Sequence, residues 1–159
     1  MFEVSVSHKP SLFTASVTID DSCFTSDDIK DAFLEIAENN SIEDYELIDE
    51  NDIEIDYSDL PGWLSPDDLE DFIDYYSNSH FDDMDIWEAA HDCSIEFSNV
   101  DDAYAGQFYG DEEFAQNLCE QLGEIPKYLP SYIHIDWEST ASELMYDFCE
   151  SNGHYFRNM

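Results

Sequence analysis

This sequence predicts an α+β protein, an elongated chain of three small domains, and three observations carry that expectation. Short β-patterned segments stand near both ends, and capped helical segments with one apolar face lie between and after them. Breaks near residues 57 and 93 separate the groups into 1–57 (α+β), 58–93 (helical) and 94–159 (α+β). The third observation is charge: 40 Asp and Glu against 4 Lys and Arg give a formal net charge of −36 over 159 residues. Self-repulsion of that size favours small units that spread the charge over a single crowded sphere. A disordered acidic tail is the rival reading. It is opposed by 43% hydrophobic and 15% aromatic content, enough rings to build cores.

In the first domain, Phe2 to Ser7 alternates and Leu12 to Ile19 is rich in β-branched residues. The Lys9-Pro10 break between them predicts a hairpin. Thr25-Ser26-Asp27-Asp28 opens a helix by capping chemistry. That helix carries Ile29, Phe33, Ile36 and Ala37 on one face and ends at Asn39-Asn40. Tyr45 to Asp56 reads as one or two short strands, Tyr45 to Ile48 and Ile53 to Asp56.

Leu60-Pro61-Gly62 is a break, and Ser65-Pro66-Asp67-Asp68 starts a helix with a capping Ser and Pro in the first turn. Leu69, Phe72, Ile73 and Tyr76 follow at helical spacing. A second helix is predicted over Phe81 to Asp92. In the last domain Ser94 to Phe97 and Tyr104 to Tyr109 read as strands. A helix after Gly110-Asp111 carries Phe114, Ala115, Leu118 and Leu122 and stops at Gly123. A further helical stretch is predicted over Leu129 to Phe148, and Asn152-Gly153 leads into a closing strand, His154 to Arg157.

Like charges recur at i,i+4 on these helices: Asp31 with Glu35, Asp67 with Asp71, Glu70 with Asp74, Glu143 with Asp147. Each such pair costs an isolated helix about 0.2–0.5 kcal/mol. A solvated acidic face explains one helix; it does not explain a whole chain built this way. Solubility needs a net charge of only about 2 to 8. The excess therefore asks for a partner that expects a polyanion. Double-stranded DNA carries one charge per about 1.7 Å of axis, so a net charge of −36 matches roughly 60 Å of duplex. A helix rises about 1.5 Å per residue, so a carboxylate every two to three residues approaches the charge spacing of one DNA strand, about 3.4 Å. The expected acidic track comprises Asp27, Asp31, Glu35, Asp67, Glu70, Asp71, Asp74, Asp82, Asp83, Asp85, Glu112 and Glu113.

Other chemistry finds little footing. With 40 carboxylates an Asp/Glu pair carries no catalytic information. The Asp49 to Ile53 and Asp82 to Ile86 runs miss the calcium-loop pattern. His91-Asp92-Cys93 has two zinc-ligand types but no second pair, and no phosphate-cradling or nucleophile motif occurs. The chain is read as a non-enzyme with no cofactor and no metal. Like-charged nucleic acids and membrane surfaces should repel it. Met1 to Ser5 shows no export pattern, so a cytosolic location follows as the expectation. Cys23, Cys93, Cys119 and Cys149 show no close pairing and are expected to be reduced and packed.

One ordered set of segments goes further. Asp101-Asp102-Ala103-Tyr104-Ala105-Gly106-Gln107-Phe108-Tyr109 precedes Asp111-Glu112-Glu113-Phe114-Ala115. Leu122-Gly123-Glu124-Ile125-Pro126, Tyr132-Ile133-His134-Ile135-Asp136-Trp137-Glu138 and His154-Tyr155-Phe156-Arg157-Asn158 follow. Over about residues 95–158 this run resembles the C-terminal region of ArdA-type antirestriction proteins. It departs from that pattern at the extra His134-Ile135 pair and at Thr140 to Leu144, which lacks an Arg.

The resemblance implies an elongated homodimer of three small domains that mimics bent DNA. It also implies occupation of the DNA-binding groove of type I restriction-modification enzymes, without a cofactor. Such proteins come from plasmids, transposons and phages. The corresponding antirestriction stretch is about Asp111 to Pro126, with Phe114, Leu118 and Leu122 as the dimer region. Rival readings keep the mimicry but change the victim to a CRISPR effector or nucleoid protein. Others replace mimicry with an acidic chaperone or a hydrolytic enzyme.

Overall fold

The computed structural model describes residues 2–20, 22–23, 25–40 and 48–159. The expected strand from Tyr45 lies outside the described residues except for Ile48, which is not in a strand. The fold is mixed α and β, with two small antiparallel sheets. The chain divides into two compact units, Met1–Asn78 and Ser79–Met159. The stretch 58–93 contributes to both.

In the first unit β1 (Phe2–His8) and β2 (Phe13–Ile19) form an antiparallel hairpin with Val4 opposite Val17 and Phe2 opposite Ile19. Strand β3 (Ile53–Asp56) pairs with the other side of β1, giving the order β2–β1–β3. Side-chain alternation puts Val4, Val6, Val17 and Ile19 on the buried face. Helix α1 (Ser26–Asn39) covers that face with Ile29, Phe33 and Ala37. Its start is a capping box: the Thr25 hydroxyl accepts the Asp28 N–H (3.1 Å) and the Asp28 carboxylate accepts the Thr25 N–H (3.1 Å). Helix α2 (Leu69–Asn78) follows a 3-10 turn at Pro66–Asp68 whose cap is Ser65. Its buried Phe72 meets the rings of Phe2, Trp63 and Tyr76 at 5.9, 5.5 and 5.4 Å.

The second unit is built on the sheet β4–β6–β5, from β4 (Tyr104–Gln107), β5 (Phe148–Ser151) and β6 (His154–Arg157). Helices α3 (Met84–Asp92), α4 (Val100–Ala103), α5 (Asp111–Leu122) and α6 (Trp137–Leu144) complete it. Its centre is aromatic. Phe114 of α5 stacks on Tyr155 of β6 with centroids 4.4 Å apart, and meets Phe148 edge-on at 4.9 Å. Trp87 of α3 is buried and its indole N–H donates to the Phe81 carbonyl (3.1 Å). Gly153 closes the β5–β6 turn at φ +83°, where a Cβ would stand 3.0 Å from the Phe108 carbonyl oxygen.

Four expectations need correction here. Ser94 to Phe97 is not a strand. Ser94 takes φ +58°, and its N–H and that of Ile95 return to the His91 and Ala90 carbonyls, so the stretch wraps the end of α3. The helix predicted over Leu129 to Phe148 shrinks to α6, because Pro130 interrupts the run, Asp136 caps a new start and Phe148 already belongs to β5. The helix predicted from Phe81 begins at Met84, where Asp83 caps it. Cys93 and Cys149 are disulfide-paired, with Cα atoms 5.7 Å apart. They lie 56 residues apart in sequence and meet only because β5 packs beside α3.

Candidate functional site

Helical periodicity sorts the acidic residues from the core. On α1, Ile29, Phe33 and Ala37 point inward while Asp27, Asp31 and Glu35 are exposed at four-residue steps. On α2, Leu69, Phe72 and Ile73 are buried, and Glu70, Asp71 and Asp74 are exposed. Asp67 is exposed in the 3-10 turn ahead of them. These seven carboxylates belong to the first unit.

The other five belong to the second, and all are exposed. Asp82 and Asp83 lead into α3 and Asp85 sits in its first turn. The Asp83 carboxylate caps the helix by accepting the Asp85 N–H (3.1 Å). Glu112 and Glu113 lie in the first turn of α5, where Glu113 accepts the Tyr109 N–H (2.8 Å). Negative side chains at these helix starts gain from the macrodipole.

The second unit also holds a cleft that the sequence did not disclose. It is about 470 Å³, and Asp111, Glu112 and Glu113 of α5 face Glu138 of α6 across it. The exposed Tyr109 ring flanks it. Asp111 has a partner, the Tyr155 hydroxyl, which donates to it at 2.7 Å. Reading residues 129–148 as one helix hid the approach of Glu138 to α5. The only clue in the sequence was Asp136 followed by Ser139, a pair that fits a helix start.

Compensation is sparse. Lys9 pairs with Glu54, and the His80 ring lies 3.0 Å from the Asp101 carboxylate. Main-chain and hydroxyl groups provide more. The Asn51, Ser58 and Ser139 N–H groups, aided by their side chains, hold Asp49, Asp56 and Asp136 below the usual carboxylate range. The Ser22 hydroxyl and N–H do the same for Asp20.

The three residues singled out as a dimer region separate. Phe114 is buried inside its own unit, Leu118 is half-buried and Leu122 is 63% exposed. Cys93 is taken up by its disulfide, which removes it as a ligand beside His91. Among the described residues no three His, Cys, Asp or Glu side chains are grouped to hold a metal ion, and no helix is long and apolar enough to cross a membrane. What the surface offers chemically is a dense set of hydrogen-bond acceptors with fixed negative charge, suited to Lys and Arg side chains. Comparison with family models, with curated proteins and with solved structures gives no match.

Proposed function

We propose that the chain is a stoichiometric, non-catalytic DNA mimic that occupies the DNA-binding groove of a type I restriction-modification enzyme. The observation that carries this reading is the exposure of all twelve singled-out carboxylates, those on α1 and α2 lying on the faces turned away from the buried core. A basic cleft would draw such a surface in electrostatically and lose access to its duplex by steric overlap. The type I enzyme is named as target on the resemblance of residues 95–158 to ArdA-type proteins alone; the charge pattern suits other basic-groove targets equally. The three-domain elongated arrangement, the homodimer and the cytosolic location belong to the same proposal.

The test is competition. Purified protein is titrated against a type I methyltransferase bound to a fluorescent duplex, with a CRISPR effector and a nucleoid protein as parallel arms. Displacement of labelled duplex from the methyltransferase, overcome by raising the labelled duplex concentration, supports the reading. Displacement confined to another arm moves the target, and displacement from none of them ends the mimicry proposal. Small-angle scattering on the same sample measures length and oligomeric state; a round monomer would remove the elongated dimer.

A further inference from the structure

We infer that the Cys93–Cys149 pair is a reversible thiol–disulfide latch on the second unit, and that the surrounding charge selects which thiols can open it. This inference does not depend on the DNA-mimic reading. The pair joins the C-terminal cap of α3 to β5, an edge strand of its sheet. Its Cα separation of 5.7 Å is the usual spacing for a bridged pair. Both cysteines are only half-buried, so a small thiol can reach them.

The seam they close has other ties. The Ser151 hydroxyl donates to the Asp92 carboxylate at 2.8 Å. Strand β5 pairs with β6 from Phe148 to Ser151, and Phe148 packs on Phe114. Opening the bond therefore releases one edge and leaves a folded unit able to close again. A bridge spanning 56 residues restrains the unfolded chain strongly. Its loss should register as lower stability of this unit.

The chemistry is ordinary exchange. A thiolate attacks one sulfur, the S–S bond breaks, a mixed disulfide forms and the other cysteine leaves as thiolate. A second thiolate repeats the attack. Two electrons pass to the protein, the reductant leaves as its disulfide, and solvent protonates the two cysteines. Each attacking anion approaches sulfurs that have Asp92 and Glu150 as chain neighbours, in a chain of net charge −36. Coulomb repulsion ranks the attackers by charge, and salt erases the ranking. The two free cysteines are slow exchange partners. Burial, and then Asp28 and Asp20, push the Cys23 thiol up; burial, and then Glu124, push up Cys119.

The experiment uses the full chain after oxidation by air. Denaturation with iodoacetamide should label two cysteines, and four after reduction. Reduction rates with cysteamine, 2-mercaptoethanol and 2-mercaptoethanesulfonate, each normalised to thiolate concentration, should fall in that order. The span should be about tenfold at 10 mM salt and should largely close in 1 M salt. The reduced protein should melt lower, with faster amide exchange confined to residues 79–159. The Cys93→Ser/Cys149→Ser variant should match the reduced protein and ignore reductant. If that variant does not fold, the wild-type melts with and without thiol decide. Four labelled cysteines without reductant, rates independent of probe charge, or an unchanged melt on reduction would each overturn the inference.

Discussion

The double variant Asp71→Asn/Asp74→Asn separates fold from function most cleanly, because it should improve one and weaken the other. The helical segment starts at the Ser65 cap and runs through the 3-10 turn into α2, so Asp71 and Asp74 lie beyond the first turn, where the dipole helps little. Each is the second member of a like-charge pair, with Asp67 and Glu70 respectively. Removing both relieves two repulsions of about 0.2–0.5 kcal/mol, or about 0.4–1 kcal/mol together. Asn and Asp have similar helix propensity, so no offsetting term is expected. Urea unfolding followed by circular dichroism should show the midpoint rising by about 0.2–0.5 M. Binding should change little but in the other direction. The variant loses two of 36 net charges. If steering contributes at most about three decades of association rate and is shared evenly, one eighteenth of it is roughly a 1.5-fold slower on-rate. Stopped-flow association with a type I methyltransferase at low salt measures it. A fall in stability would refute the exposed-face assignment, and abolished binding by either single change would refute a graded electrostatic surface in favour of a dominant residue.

Three further outcomes follow from the same structure. Tyr155→Phe keeps the stacked ring but loses the hydroxyl bond to Asp111, costing about 1 kcal/mol for a bond with one exposed partner. Burial, and then that bond to Asp111, raise the Tyr155 pKa, so its share of stability is present below about pH 10 and is lost as pH rises through the folded value. Melting of the wild type above pH 10 should thus fall more steeply than that of the Phe variant; parallel profiles would contradict the assignment. Phe114→Ala should cost about 3–5 kcal/mol, a large share of the roughly 5–15 kcal/mol of a typical domain. Denaturant titration should show the midpoint of the second unit falling sharply, and much less for Phe114→Leu. Finally, melting temperature should rise as salt goes from 0.01 to 0.1 M and the screening length falls from about 30 to about 10 Å. A salt-insensitive or falling melt would mean that the like charges are not repelling one another.

Local chemistry made much of the fold legible in the sequence. Thr25 and Asp28 announce α1 because a capping box is a four-residue device, and the apolar spacing of Leu69, Phe72 and Ile73 fixes the inward face of α2 without knowledge of what it meets. The same spacing leaves Asp31 and Glu35 of α1 and Glu70 and Asp74 of α2 exposed. What stayed hidden depends on distant parts of the chain. Ser94-Ile95-Glu96-Phe97 has strand-like composition, yet the left-handed Ser94 turns it back onto α3. The approach of Glu138 to Glu112 and the pairing of Cys93 with Cys149 need the tertiary arrangement of the second unit, which no short window contains. Phe114 shows the limit of face-reading. An apolar helix face looks the same whether its own sheet or a second copy covers it, and here Tyr155 and Phe148 cover it.

The placement of the carboxylates also bears on why there are so many. Asp28, Asp49, Asp83 and Asp136 are helix or turn caps, each accepting a main-chain N–H. Ser, Thr or Asn would do the same work without adding charge, so capping accounts for the positions and not for the sum. Glu35, Asp74 and Glu143 are exposed late in α1, α2 and α6, where a negative charge gains nothing from the dipole and Lys would be favoured. No basic residue stands in the last turn of any of these three helices. The fold is stabilised by its aromatic and aliphatic cores and tolerates these charges as a cost. A feature that costs the folded state, and recurs on helices of both units, is not explained by folding alone. The proposed partner would account for it: exposed acceptors of fixed charge on both units complement the Lys and Arg side chains with which an enzyme holds a duplex.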